Sequence, residues 1–390
     1  MEIDFKDYKT AIVLQGGGAL GAYECGVLKA LYECRLGFEP SAVTGLSIGA
    51  VNAAVLAGAK HNPIGTLEDL WCNKFSTPDI IPRVTQFIPE SFVPPIMDQH
   101  VPRNPAMFNI RPEYIFMPLL AGFYTNSFCD TSPLRETLKE VIDPAKLNDY
   151  RKTRVAVTAV NVETGELEVF DNKDGLNVDH VLASGSLPPG FPMTRIGNNY
   201  YWDGGVNSNT PLSPAINCLE DFAAKKREVI VVELVPMEGQ LPHNIRDVMS
   251  RFFNLIFASK VKLDRQLFEK YADYIEFAQD VHILLETLQS NQELKDQINK
   301  ILSGKKQGFS VEDIARSDGY RSLAKHKRID AVTVIPFRLT TPHLADPSDF
   351  SPEIIAERIR MGYQEAMRQE IGNPIPLTNG GRIGLRRHAA

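Results

Sequence analysis

Apolar residues fall along this chain in short runs that end on glycine and pass straight into helical spacing. Ala11 to Leu14 form the first run, closed by Gly16-Gly17-Gly18, and the segment beginning AYECGVLKALYEC then sets Val27, Leu28, Leu31 and Leu36 at helical spacing. That predicts strand, tight loop, helix. Ala42 to Leu46 read as a second short buried strand broken at Gly45, and the small residues of SIGAVNAAVLAGA predict a helix able to lie close against a sheet. The second unit repeats the first.

From Phe75 to Tyr124 the pattern dissolves into proline and large apolar residues, as in IIPRVTQFIPESFVPPIM and YIFMPLLAGFY. Two readings stand for this insert, a plain surface excursion and an apolar lid over a lipid pocket, since long loops often carry function. A helix is predicted over Ser132 to Ile142, then strands at Arg154 to Val160 and Glu166 to Phe170 joined as a hairpin through Glu163-Thr164-Gly165. Val178 to Ser184 reads as helix, Tyr200 to Trp202 as a strand stub, and Val229 to Val235 as a strand covered on both faces. Residues 243–302 form a long charged amphipathic helical region, and Ala331 to Pro336 a last buried strand. Ser351-Pro352 opens a final helix, serine as N-cap and proline at the first helical position.

The alternation of strands and helices predicts an α/β fold, a mostly parallel sheet flanked by helices with an antiparallel addition. Residues 10–235 make the core, 75–124 its insert, 236–371 a helical extension giving one more strand to the same domain, and 372–390 a flexible Gly- and Pro-rich tail.

Composition narrows the function. With 390 residues, 43% of them hydrophobic, a sizeable core is expected, and a net charge of −6 argues against nucleic acid, which needs a concentrated basic surface. Five cysteines, odd in number and without a C-x-x-C pair, give no disulfide or zinc framework, and no metal or cofactor is expected. No run approaches the ~20 apolar residues that cross a bilayer. MEIDFKDYKT is neither a secretory signal nor a transit peptide, so a cytoplasmic protein is expected. Peripheral membrane contact has one candidate surface, Phe252, Phe253, Leu255, Ile256 and Phe257 beside Arg251, Lys260 and Lys262, whose plainer reading is an amphipathic helix packed on the core.

Three glycine-containing motifs stand at the ends of predicted strands. Gly16-Gly17-Gly18-Ala19-Leu20-Gly21 fits G-x-G-x-x-G, whose glycines let backbone N–H groups face an anion. A dinucleotide site would also want an acid at the end of the second strand; Glu39 precedes that strand and sits at the wrong edge. Gly45-Leu46-Ser47-Ile48-Gly49 fits the G-x-S-x-G nucleophile elbow, with a serine N-cap as the plain alternative. A serine nucleophile needs a base within reach. Of the eight histidines only His180 and His343 lie near a strand end or a motif, and both read as structural or surface residues. Asp203-Gly204-Gly205 follows Tyr200-Tyr201-Trp202, so its carboxylate emerges from an apolar strand at a sharp turn; the plain alternative is an Asp-Gly turn.

In order and surroundings these motifs, with SGSLPPGFP at 184–192 before the last, resemble the patatin-like phospholipases over roughly residues 10–235. The resemblance implies a three-layer α/β/α fold and a Ser-Asp dyad without histidine. In that dyad Ser47 attacks an ester carbonyl and Asp203 takes its proton. It implies an oxyanion hole of backbone amides from Gly16, Gly17 and Gly18, foremost the last two, with Gly21, Gly45, Gly49, Gly204 and Gly205 as motif support. One departure stands out: the family often carries Arg or Lys shortly after the glycine triplet, where this chain has Ala19 and Leu20. The expected activity is hydrolysis of fatty acyl esters, of the phospholipase A, lysophospholipase or carboxylesterase kind. A non-catalytic lipid-binding or regulatory role, or acyl transfer on the same fold, are the alternatives.

Overall fold

The first strand, β1 (Tyr8–Leu14), is apolar on both sides because both sides are covered. Ile12 and Leu14 enter one core cluster and Ala11 and Val13 another, on opposite faces of the sheet. A computed structural model describes residues 5–77, 104–113, 122, 124–208, 210–224, 226–235, 239, 241–243, 245–324, 326–338 and 342–374. Most of the 75–124 insert and the tail from 375 onward lie outside these residues, as do the side chains of Phe253, Lys260, Lys262 and His343.

After β1 the chain runs through α1 (Gly21–Cys34), β2 (Ala42–Gly45), α2 (Ile48–Gly58) and α3 (Pro63–Asp69). A two-stranded ribbon, β3 (Asn109–Ile110) with β4 (Cys129–Asp130), precedes α4 (Ser132–Val141). Then come β5 (Arg154–Asn161), β6 (Leu167–Asp171), α5 (Val178–Ser184), β7 (Thr194–Ile196), β8 (Asn199–Asp203), α6 (Leu212–Glu220) and β9 (Lys226–Glu233). The C-terminal part holds α7 (Ile245–Gln289), α8 (Gln292–Lys305), α9 (Val311–Arg316), α10 (Asp318–Ala324), β10 (Ala331–Pro336) and α11 (Pro352–Arg368).

The main sheet has the order β10-β9-β1-β2-β5-β8-β7, with β6 on β5. From β10 to β5 every pairing is parallel; β6, β8 and β7 are antiparallel additions. Helices α1, α2 and α11 cover one face through Leu28, Leu31, Val51, Val55 and Ile355, and α6 covers the other through Leu212, Ala215 and Leu219. The sequence therefore delivers the mixed α/β architecture it predicts. A buried ion pair ties the layers: both guanidinium ends of Arg35 meet the Glu228 carboxylate, at 2.6 and 2.9 Å, and Thr10 donates to the same group.

One local expectation fails. Helix α1 ends at Cys34, and Leu36 is 82% exposed rather than on the buried stripe. The chain turns at Arg35 because that side chain is drawn inward to Glu228 and to the Ile371 carbonyl. At α11 Ser351 is the N-cap residue and Pro352 opens the helix as expected, with the Ser351 hydroxyl bonded to Asp349. Helices α7 to α10 pack on one another around Leu285, Leu288 and Val311, leaving an apolar cleft of about 500 Å³.

Candidate active site

Strand β5 brings the two chemical motifs together. Its first half pairs with β2, Gly45 opposite Val157, and its second half with β8, Asp203 opposite Ala159. Strand β6 pairs with Ala156 to Val160 and so occupies the other edge. Strands β2 and β8 therefore share one edge of β5, running toward each other and both leaving it around Thr158. Two residues of strand rise separate their ends, roughly 7 Å. The loops leaving them touch: a Cβ at Gly204 would lie 2.6 Å from Leu46 Cδ1 and 2.7 Å from the Thr158 carbonyl.

Ser47 stands in the sharp turn between β2 and α2 with φ 55 and ψ −122, a conformation that L residues rarely adopt. Steric pressure on either side explains the flanking glycines. A Cβ at Gly45 would come 2.2 Å from the Gly49 carbonyl oxygen, and one at Gly49 would come 2.5 Å from that of Leu14. Ser47 is the N-cap residue of α2, but its side chain makes no capping bond to the helix, and the residue is half-buried. Its amide donates to Ser184 Oγ at 3.0 Å.

Asp203 is 3% exposed, and its Oδ1 accepts the Gly205 N–H at 2.8 Å. The Asp203 amide donates to the Ser186 carbonyl at 3.0 Å. Ser184 and Ser186, both buried, thus hold the two motif residues from one short segment, and the Ser186 hydroxyl is itself fixed by Leu182 O and Thr194 Oγ1. In the sequence this Ser-Gly-Ser segment stands only among the surroundings of the Asp-Gly-Gly motif, and its hydroxyls carry no separate signal.

The glycine loop lies over the same end of the sheet. Gly16 is buried, Gly17 and Gly18 half-buried, and the amides of Gly17 and Gly18 form no hydrogen bond to any described residue. Gly21 allows α1 to start against the elbow: a Cβ there would meet Ile48 at 2.6 Å and Trp71 at 2.7 Å. Gln15, fully buried, ties the loop to its neighbours by donating to Thr210 Oγ1 at 2.9 Å and accepting from the Leu234 amide at 3.1 Å. Beneath it lies Glu24, which accepts from Asn52 Nδ2 at 2.8 Å, while Asn52 Oδ1 takes the Trp71 indole N–H. Burial pushes the Glu24 carboxyl well above the ordinary carboxylate range, against the lowering effect of the Asn52 hydrogen bond.

His180 is a capping residue of α5: its Nδ1 accepts the Asn177 amide, its ring stacks on Phe170, and burial lowers its pKa. No group of His, Cys, Asp and Glu among the described residues is arranged to hold a metal ion. No helix of the described residues is long and apolar enough to cross a membrane. Of the surface stripe on α7, Phe252 and Leu255 are exposed and Ile256 and Phe257 half-buried.

A cGAMP-activated phospholipase of Pseudomonas aeruginosa (strain BWHPSA011 / Pa011) is 30% identical over 121 residues, 29% of this chain and 36% of the relative, so the match spans about a third of that protein. Among solved structures, VipD from Legionella pneumophila aligns with a TM-score of 0.37 at 16% identity, over 93% of this chain and 66% of that one. The heterodimeric ExoU-SpcU complex from the type III secretion system of Pseudomonas aeruginosa aligns with a TM-score of 0.30 at 16% identity, over 93% of this chain and 76% of that one. The family model described as patatin-like phospholipase matches residues 12–216, from β1 into α6. That span is more than half of the chain and takes in the glycine loop, the serine turn and the Asp-Gly-Gly turn, and the chain belongs to the patatin-like phospholipase family.

Proposed function

We propose that this protein hydrolyses fatty acyl esters of lipids, phospholipids or lysophospholipids among them, through a Ser-Asp dyad of Ser47 and Asp203 and an acyl-serine intermediate. The observation that carries the reading is the strained Ser47 turn, set nose to nose with the Asp203 turn on one edge of β5. Strain of this kind is kept where surrounding structure enforces it, and it clusters at reacting groups.

In the proposed cycle the Ser47 hydroxyl loses its proton to the Asp203 carboxylate as its oxygen bonds the ester carbonyl carbon. The carbonyl electron pair moves onto oxygen, and the resulting oxyanion is met by the unpaired Gly17 and Gly18 amides. Collapse expels the alcohol, which takes the proton from Asp203. Water, giving a proton to Asp203, then attacks the acyl-serine, and release of the fatty acid returns that proton to Ser47. Preorganised donors aimed at the developing charge are worth roughly 10²–10³ in rate per donor. Asp203 suits the base because its carboxylate is already oriented by Gly205 N–H and needs no ordering when the substrate arrives.

A fluorophosphonate probe and a panel of acyl esters test the proposal. Wild-type protein should be labelled at Ser47, and Ser47→Ala should lose labelling and lower turnover by roughly 10⁴-fold or more. Asp203→Asn should remain folded and turn over far more slowly. Absence of labelling together with absence of ester hydrolysis at every chain length would move the protein to the lipid-binding reading; acyl transfer to an added alcohol in preference to water would move it to the transferase one. Contact with a membrane surface is read by liposome co-sedimentation, which Phe252→Asp should weaken because that ring is exposed on α7.

A further inference from the structure

The family match ends at residue 216, yet the glycine loop is gripped by the far end of the chain. The Ala19 amide donates to the Pro347 carbonyl at 2.8 Å. On the other side of the same oxygen stands Gly18, whose φ is +56 and where an added Cβ would come within 2.5 Å of it. One carbonyl therefore sets the direction in which the Gly17-Gly18-Ala19 turn presents its amides.

Pro347 lies in a turn-rich segment with little regular structure of its own. What shapes that segment is Arg358 on α11, whose residue exposure is 0%. Its Nε donates to Leu344 O at 3.1 Å, Nη1 to Asp349 O at 2.6 Å and Nη2 to Asp346 O at 2.5 Å, so a single guanidinium spans carbonyls on both sides of Pro347. Burial lowers its pKa to about 10, against the raising effect of the Asp349 and Asp346 charges, which stand near it without an ion-pair contact among the described residues. A cation taken out of water to donate to main-chain carbonyls is costly, and a fork of fixed geometry is the side chain that holds several carbonyls in one arrangement. The carboxylates of the segment close its own turns: Asp346 Oδ1 holds Ser348 N and Oγ, and Asp349 Oδ1 holds Ser351 N and Oγ. Helix α11 also packs directly on α1, the helix that leaves the glycine loop, with Gly362 against the Tyr23 carbonyl.

We propose that Arg358 is a positioning residue for the oxyanion hole, acting through the 344–349 segment and the Pro347 carbonyl on the Ala19 amide. The inference rests on reading the glycine loop as that hole, and it gives the C-terminal region a part in the reaction. Removing Arg358 frees the Pro347 carbonyl to rotate, and the Gly17 and Gly18 amides lose their common aim. On this reading the loss falls on the charge that develops on the carbonyl oxygen, so kcat is expected to suffer before KM.

Steady-state hydrolysis of a short soluble ester such as p-nitrophenyl butyrate, with thermal melts in parallel, tests the idea on Arg358→Ala, Arg358→Lys and Ser47→Ala. Arg358→Ala should lose roughly 100-fold in kcat, the scale of one oxyanion donor, with KM changed less than about threefold. Added guanidinium should restore part of that kcat, and tetramethylammonium none. A rise in KM at unchanged kcat overturns the proposal, as does a kcat loss that guanidinium leaves untouched. Should Arg358→Ala not fold, Gly18→Ala presses a methyl on the same carbonyl and should lower kcat likewise; an unchanged kcat overturns the idea. Amide exchange at residues 15–22 needs no turnover. Faster exchange there in Arg358→Lys, with β1 and β9 unchanged, supports the grip, and unaltered exchange sinks it. Equal hydrolysis by wild type and Ser47→Ala would instead sink the hydrolase reading while leaving the exchange result to stand.

Discussion

At the level of single residues, the region around Ser47 is held by hydrogen bonds whose donors and acceptors are nearly all internal. The Ser184 hydroxyl accepts the Ser47 amide, and its loss would leave that amide unpaired in a turn that is already strained. Ser184→Ala is therefore expected to lower kcat by roughly tenfold and stability by about 1–2 kcal/mol. Urea melts and ester turnover on the same preparation check both, and unchanged turnover would show that the turn holds without this bond. Glu24 gives a pH signature. Its folded pKa is raised by burial, so its stabilising contribution is whole below the unfolded carboxylate range and lost as pH rises toward the folded value. The stability of Glu24→Gln relative to wild type should therefore improve steadily from pH 5 to pH 8; a difference independent of pH would contradict the buried, protonated carboxyl. Neither residue announced itself in the sequence. Ser47, Asp203 and the glycines did, because a tight turn between strand and helix restricts which residue types can stand there. The partner of a turn amide can come from anywhere in the chain.

At the level of elements, legibility followed range. Continuous apolar runs marked β1, β9 and β10, since strands covered on both faces must be apolar throughout. The hairpin of β5 and β6 was legible from its Glu-Thr-Gly turn. Hidden was the arrangement of β2 and β8 end to end on one edge of β5, because it depends on a register spread over strands far apart in sequence. The helical reading of Leu36 failed for a similar reason: a distant carboxylate, Glu228, turns the chain at Arg35. Helix α1 meets α11 at glycine on both sides, with a Cβ at Gly26 falling 1.9 Å from the Ile359 carbonyl oxygen and one at Gly362 falling 2.0 Å from that of Tyr23. Backbone stands against backbone there, so no side chain can yield. Gly26→Ala is expected to cost about 1–3 kcal/mol by forcing the helices apart, and calorimetry showing no fall in Tm would refute the close crossing.

Across the whole molecule, the matched family span stops short of the sheet it needs. Strand β9 pairs with β1 along its full length and β10 pairs with β9, and both follow residue 216. A fragment ending at residue 216 would expose one edge of β1 and the apolar face of α1 that α11 covers. It is expected to show no cooperative unfolding transition by circular dichroism, and a sharp one would mean that the core closes without its C-terminal strands. The distribution of indoles has a practical consequence. The chain has two tryptophans, Trp71, buried beside Asn52 under the glycine loop, and Trp202, next to Asp203 on β8, and the helices from 245 to 324 contain none. Tyrosines such as Tyr271, Tyr274 and Tyr320 do stand in those helices, but emission excited selectively from tryptophan is blind to them and reports the surroundings of the glycine and aspartate turns alone, a built-in optical probe of that end of the sheet.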